Sequence, residues 1–257
     1  MGVTLLNYLP GIGMLAVGIG AIVLWFLLKG RKLVYFKYYT LGAILWVIAI
    51  APKYAMDYTI TGPIENALFS YLSLIAVAIV LALYYGLRTG FFESGFSYLI
   101  IKHTGLGKMS FNEAVALGIG FGGIEAIYTC MVWLQGSGPL LTTPQDLISY
   151  IGVWERLFTL FVHVFAIVLV VLAARLNDKH WLWLSIVYKS PLDGILIFLL
   201  VLQSGGLISG GLTVTAIIES LVTVFGIAGL IGLYLIDKKY WGGTPDAPKA
   251  GDPNPGD

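Results

Sequence analysis

Apolar runs of about 20 residues recur along this chain, the length an α-helix needs to cross roughly 30 Å of hydrocarbon. Spans read at roughly 6–28, 38–52, 64–86, 112–134, 149–173, 181–203 and 212–236. The second is short, and Pro52 reads as its end. A further segment, 88–101 ("RTGFFESGFSYLII"), is too short and too polar for a separate crossing. It reads as a cytoplasmic-side or re-entrant helix. Composition agrees: 58% of residues are hydrophobic and only 11% charged, against about 25% charged in a soluble domain. Mean hydropathy is +0.87. Such a chain cannot cover itself with a water-compatible surface. The expected fold is all-α, a polytopic transmembrane helical bundle of about seven crossings plus one short helix. A single membrane domain is expected over 1–240.

Several functions are excluded early. A net charge of +1 provides no basic field for nucleic acid. The lone cysteine, Cys130, rules out an internal disulfide and a multi-cysteine metal site. The first span lacks a basic leader and a small-residue cleavage site, so it reads as a retained helix rather than a signal peptide. Beyond "DKKYW", the Gly-, Pro- and Asp-rich segment has nothing to bury. It reads as a disordered cytoplasmic tail over 241–257.

Seven ionisable residues fall inside these spans away from their ends: Glu125, Glu155, Arg156, His163, Lys189, Asp193 and Glu219. Charges at membrane depth usually face the bundle interior and are functional candidates. At about 1.5 Å per residue, Glu125, His163 and Asp193 come near the midplane, with Lys189 slightly toward the cytoplasm. Glu155, Arg156 and Glu219 form an outer layer, where Arg156 is expected to pair with Glu219 or Glu155. Lys189 and Asp193, at i and i+4, can neutralise each other across a kink at Pro191. Glu125 has no obvious same-helix partner, although Gly118, Gly120, Gly122 and Gly123 around it have the spacing that lets helices approach. His163 is the one imidazole in a span, with His103 and His180 reading as loop residues. Neither a metal site nor any other cofactor is therefore expected.

Four segments in order carry a resemblance: "FFESGFSY", "GIGFGGIEA", "WERLFTLFVH" and "KSPLD". They resemble the YhfC-like membrane proteins, related to the CAAX-processing type of glutamic intramembrane protease. Those proteins carry a "FEE…RY"-like segment and then "GIGHGGIEA". An "ER" pair follows, with a His seven residues after its Arg, and then an "HxxxD/N" helix. The resemblance implies a site built from Glu93, Glu125, Glu155, Arg156, His163 and Asp193, all present here. It also marks departures. Ser94 stands for the second acid, Ser97 for the Arg, Phe121 for one His and Lys189 for another. Phe121 can neither activate water nor hold an oxyanion, and a cationic Lys189 cannot act as a base.

The resemblance therefore implies an integral membrane protein with a protease-like scaffold whose chemistry is lost. It would act as a binding or scaffolding subunit for a transmembrane partner or substrate helix, in contact with membrane lipid. An alternative is an active intramembrane peptidase with Glu93, Glu125 and His163 as its catalytic groups. Glu155, Arg156, Lys189, Asp193 and Glu219 would then be structural or binding residues. A proton-coupled transporter is a third reading, although no repeat relates the two halves.

Lys29, Arg31, Lys32 and Lys37 follow the first span, and further basic residues cluster at 102–108 and 175–179. The alternate connections are poor in Lys and Arg. This asymmetry puts a multi-pass protein in the cell membrane with its N-terminus outside and its C-terminus cytoplasmic. In a Cys130→Ala background, a Lys32→Cys variant should resist membrane-impermeant thiol reagents in intact cells and react after lysis. Labelling from outside would reverse the topology.

Overall fold

A computed structural model describes residues 8–137 and 150–242. Among them, seven helices are long and apolar enough to cross a membrane. They are α1 (Leu9–Leu28), α2 (Val34–Tyr71), α3 (Leu74–His103), α4 (Phe111–Gln135), α5 (Ile151–Leu176), α6 (Lys179–Ser204) and α7 (Gly211–Trp241).

Local chemistry sets their ends. Pro10 stands in the first turn of α1, where its missing N–H is no loss. Leu72 and Ser73 are both extended and break the chain between α2 and α3. Ser110 opens α4 with a capping box: its hydroxyl accepts from the Glu113 N–H, and Glu113 accepts from the Ser110 N–H at 2.7 Å. Asn177, in the left-handed region at φ 50°, closes α5. Asp178 then caps α6 by accepting from the His180 N–H at 3.0 Å.

The expected count of seven holds, but the second and third boundaries differ. Pro52 lies inside α2 rather than at its end. Membrane helices tolerate such prolines because local widening and neighbouring groups re-satisfy the freed carbonyl, and here a π-helical stretch follows at Asp57–Thr61. The span expected at 64–86 is cut by the 72–73 break. The 88–101 segment is the second half of α3, not a separate short helix. Its polarity is explained by what it faces: a π-helical stretch over Gly90–Phe96 carries Glu93 into the bundle. His103 and His180 also lie at helix ends rather than in loops. At the far end, α7 continues to Trp241, which is buried against Phe111 (5.5 Å between ring centroids). The expected disordered tail otherwise falls on 243–257, outside the described residues.

Contacts between helices fix their directions. Trp25 donates to the Asn112 carbonyl at 3.3 Å while Gly18 meets Gly123, so α1 and α4 are antiparallel. Gly86 abuts Ser190 and Gly194 abuts Ala82, so α3 and α6 are antiparallel. Tyr39 meets Gly120 and Trp46 meets Glu125, so α2 and α4 run parallel. Odd-numbered helices run one way and even-numbered helices the other. The connections at 29–33, 104–110 and 177–178, the last flanked by Arg175 and Lys179, consequently share one end of the bundle.

The core is centred on α5. Every residue from Val162 to Ala173 is buried, as expected for a helix apolar on all sides. Around it pack α1, α4, α6 and α7. Large apolar residues such as Leu24, Leu28, Val224 and Leu235 point outward, which suits lipid rather than water.

α2 and α4 meet backbone to backbone. A Cβ on Gly42 would lie 2.0 Å from the Leu117 carbonyl oxygen, and one on Gly120 would lie 2.1 Å from that of Tyr39. Neither obstacle is a side chain that could swing away. Gly120→Val should lower stability in detergent-unfolding measurements by at least the roughly 1–3 kcal/mol typical of overpacking. Gly20→Ala, where a Cβ meets nothing within 4 Å, should be near neutral.

Candidate functional site

Counting from the basic end at about 1.5 Å per residue, Glu93 on α3 and Lys189 on α6 lie ten residues in, at roughly 15 Å. Glu125 on α4 and His163 on α5 lie at about 20 Å, and Arg156 on α5 at about 30 Å. With Lys53 of α2, five helices send charged side chains to one region of the membrane core. They line a cavity of about 260 Å³, together with Trp46, Tyr54, Tyr128 and the aliphatic Leu192, Leu196 and Val222.

Glu93 is the centre of the network. Its Oε1 accepts from Lys53 Nζ at 2.9 Å, and its Oε2 accepts from Lys189. Lys53 also donates to the Thr89 hydroxyl at 2.9 Å and lies 3.9 Å from Asp193 Oδ2, which accepts from Thr89. Lys189 Nζ is 2.8 Å from His163 Nδ1 and 5.0 Å from the centre of the Phe121 ring. With the ammonium donating to Nδ1, the ring proton of His163 belongs on Nε2, a tautomer inferred from these neighbours.

The second half of the network surrounds Glu125. Its Oε1 accepts from Arg156 Nη1 at 2.7 Å, and its Oε2 accepts from Trp46 Nε1 at 3.0 Å. His163 Nε2 is 2.9 Å from the same Oε2, but without hydrogen-bond alignment. That contact is one of electrostatic proximity, because distance alone does not make a hydrogen bond. The other nitrogen of the Arg156 fork, Nη2, donates to Glu155.

Several sequence expectations change. Glu93, Glu125, Glu155, Arg156, His163, Lys189 and Asp193 do line one cavity. The two expected layers are a single chain of contacts, because Arg156 joins Glu155 to Glu125. Glu125 is paired with Arg156 on the neighbouring helix. Lys189 pairs with Glu93 instead of Asp193, because its long side chain reaches across to α3 rather than along α6. Glu219 is no partner of Arg156: its Oε2 is buried without a hydrogen bond, and the residue is outside the cavity lining.

Lys53 and Thr89 were missed. Ending the second span at Pro52 turned Lys53 into a loop residue, although it is buried. A helix continued through Pro52 would have brought a lone lysine into the membrane as a signal. Ser94, at the position of an expected acid, shares a 2.8 Å hydroxyl contact with Ser185, which donates to the Ala166 carbonyl at 2.9 Å.

The sequence matches one family over residues 13–136 and 139–219. The chain belongs to the YhfC intramembrane metalloprotease family. No curated protein and no solved structure matches it.

The YhfC description implies a metal ion, and the side chains here do not fit one. Among the described residues, no three His, Cys, Asp or Glu side chains are grouped to hold an ion. Both Glu93 oxygens face ammonium groups, and Nδ1 of His163 faces one as well. The position beside Nδ1 of the buried His163 is thus already taken by a cation. No catalytic step through a metal follows from this arrangement.

Arg156 is the one strong donor shared by Glu125 and Glu155. Arg156→Ala should lower stability by about 3–5 kcal/mol, the usual consequence of stranding a buried charge. Combining Arg156→Leu with Glu125→Gln should recover much of that loss in detergent unfolding. Recovery with Glu219→Gln but not with Glu125→Gln would show the pairing to be wrong.

Proposed function

We propose that this YhfC member is proteolytically inactive and uses its polar intramembrane cavity to bind a transmembrane partner, with the N-terminus outside and the C-terminus cytoplasmic. The observation that supports this most is Glu93 held between Lys53 and Lys189. A general base needs an acceptor atom open to the attacking water. Each Glu93 oxygen already accepts from a cation, and the Nδ1 lone pair of His163 faces Lys189. Phe121, packed against His163 and Lys189, offers no donor for an oxyanion. Binding is the role left to a cavity that combines aromatic and aliphatic walls with fixed charges. Such a surface suits a helix carrying a polar group in an otherwise apolar segment, since both need partners inside the bilayer.

The convergence of Glu93, Glu125, His163 and Asp193 on one cavity favours a second reading, an intramembrane hydrolase. One experiment separates the two. The protein in lipid vesicles is incubated with a panel of transmembrane reporter peptides, alongside Glu93→Gln and His163→Ala. The expected result is no cleavage above background by any of the three. Missing oxyanion and acid–base contributions amount to roughly 10²–10³-fold and 10²–10⁴-fold respectively. Cleavage by the parent that both substitutions abolish would establish the hydrolase.

A further inference from the structure

Two donor atoms in the network stand at a spacing typical of metal ligands. Glu93 Oε2 and His163 Nδ1 are 3.8 Å apart. In a tetrahedral zinc site with bonds near 2.1 Å, adjacent ligand atoms lie about 3.4 Å apart. Between these two atoms sits a side-chain nitrogen rather than open space. Lys189 Nζ is 2.8 Å from Nδ1 and donates to Oε2, so an ion bridging the pair would overlap it.

The surroundings of Lys189 are those of a fixed cation. The residue is only 4% exposed. The Phe121 face lies 5.0 Å below the ammonium, a favourable position for a desolvated positive charge. Lys53 holds the second Glu93 oxygen from the other side, so both oxygens of that carboxylate meet cations.

We propose that the ammonium of Lys189 is the resident cation of this site, standing where a divalent metal would bridge Glu93 and His163. The protein is then metal-independent, and a latent metal site lies beneath Lys189. Shortening that side chain exposes Oε2 and Nδ1 to an ion, and water completes its coordination. The inference holds whether or not the protein cleaves peptides, and its test does not read activity.

Purified full-length protein is stripped with chelator, and its metal content and melting temperature are measured with and without Zn²⁺. The parent should carry no stoichiometric transition metal, and neither chelator nor Zn²⁺ should shift its melting. Lys189→Ala should melt lower and be restored in part by Zn²⁺. At about one hundred times the Kd, the shift should be roughly 5–10 °C for a chain of this size. Ethylammonium, which replaces the lost head group, should also raise the melting temperature. Adding His163→Ala should abolish the Zn²⁺ response and leave the ethylammonium response. Lys189→His provides a second variant, expected to show the visible absorption of tetrahedral Co²⁺. A stoichiometric metal in the parent that His163→Ala releases would overturn the proposal. So would a Lys189→Ala protein as stable as the parent and indifferent to Zn²⁺.

Discussion

The bilayer core has no water to solvate a charge, so an ionised side chain there must find its counter-charge within the protein. Glu93 bears this demand most heavily. It is 4% exposed and meets Lys53 from α2 and Lys189 from α6. From there contacts run through His163 on α5 to Glu125 on α4, and back to α5 at Arg156 and Glu155. Buried pairs of this kind give little net stability over apolar packing, but breaking one is expensive. Their effect is selective. Any arrangement of these helices that separates Glu93 from its lysines, or Glu125 from its arginine, strands a charge in hydrocarbon.

That selectivity works only if the helices come close enough for side chains to reach. On α4, a Cβ on Gly118 would lie 2.7 Å from the Val164 Cα, and one on Gly122 would lie 2.9 Å from Leu160. The approach of α5 brings Arg156 within 2.7 Å of Glu125. The α3–α6 crossing is built similarly, with Gly86 against the Ser190 carbonyl and Gly194 against that of Ala82. Lys189 can then reach Glu93. Packing glycines and buried charges, separate features in the sequence, are two halves of one device. Small residues set the distance, and the ion pairs select the partner.

Membrane class and span count were legible because they depend on summed apolar length, which a few polar residues barely alter. The residues that gather at the cavity were legible because a charge stands out against that background. What failed depended on partners. Pro52 reads locally as a stop, yet α2 passes through it and buries Lys53. The polarity of 88–101 reads as a short cytoplasmic-side or re-entrant helix, yet it reflects Glu93 and Ser94 facing other helices. The i,i+4 spacing of Lys189 and Asp193 suggests a pair on one helix, but a side chain that long chooses among neighbours on several. No pattern within one helix states which other helix lies opposite.

The departures from the family's motifs are also easier to understand as one change than as separate losses. Phe121 and Lys189, which the resemblance places at two histidine positions, touch each other, with the ammonium 5.0 Å from the ring centre. Phe121 also makes a tilted ring contact at 5.3 Å with His163. A permanent cation at 189 needs an anion and a dry, electron-rich wall, which Glu93 and the phenyl face supply. Another imidazole at 121 would compete for the same carboxylate and draw in water. The two serines fit this account. Ser94 hydrogen-bonds Ser185 where an acid would need a cation, while Lys53 and Lys189 already serve Glu93. Losing an acid at 94 together with an arginine at 97 leaves the charge balance unaltered. Lys189 at the centre and Lys53 beside it leave both Glu93 oxygens paired, although the Ser97 hydroxyl is buried without a hydrogen-bond partner.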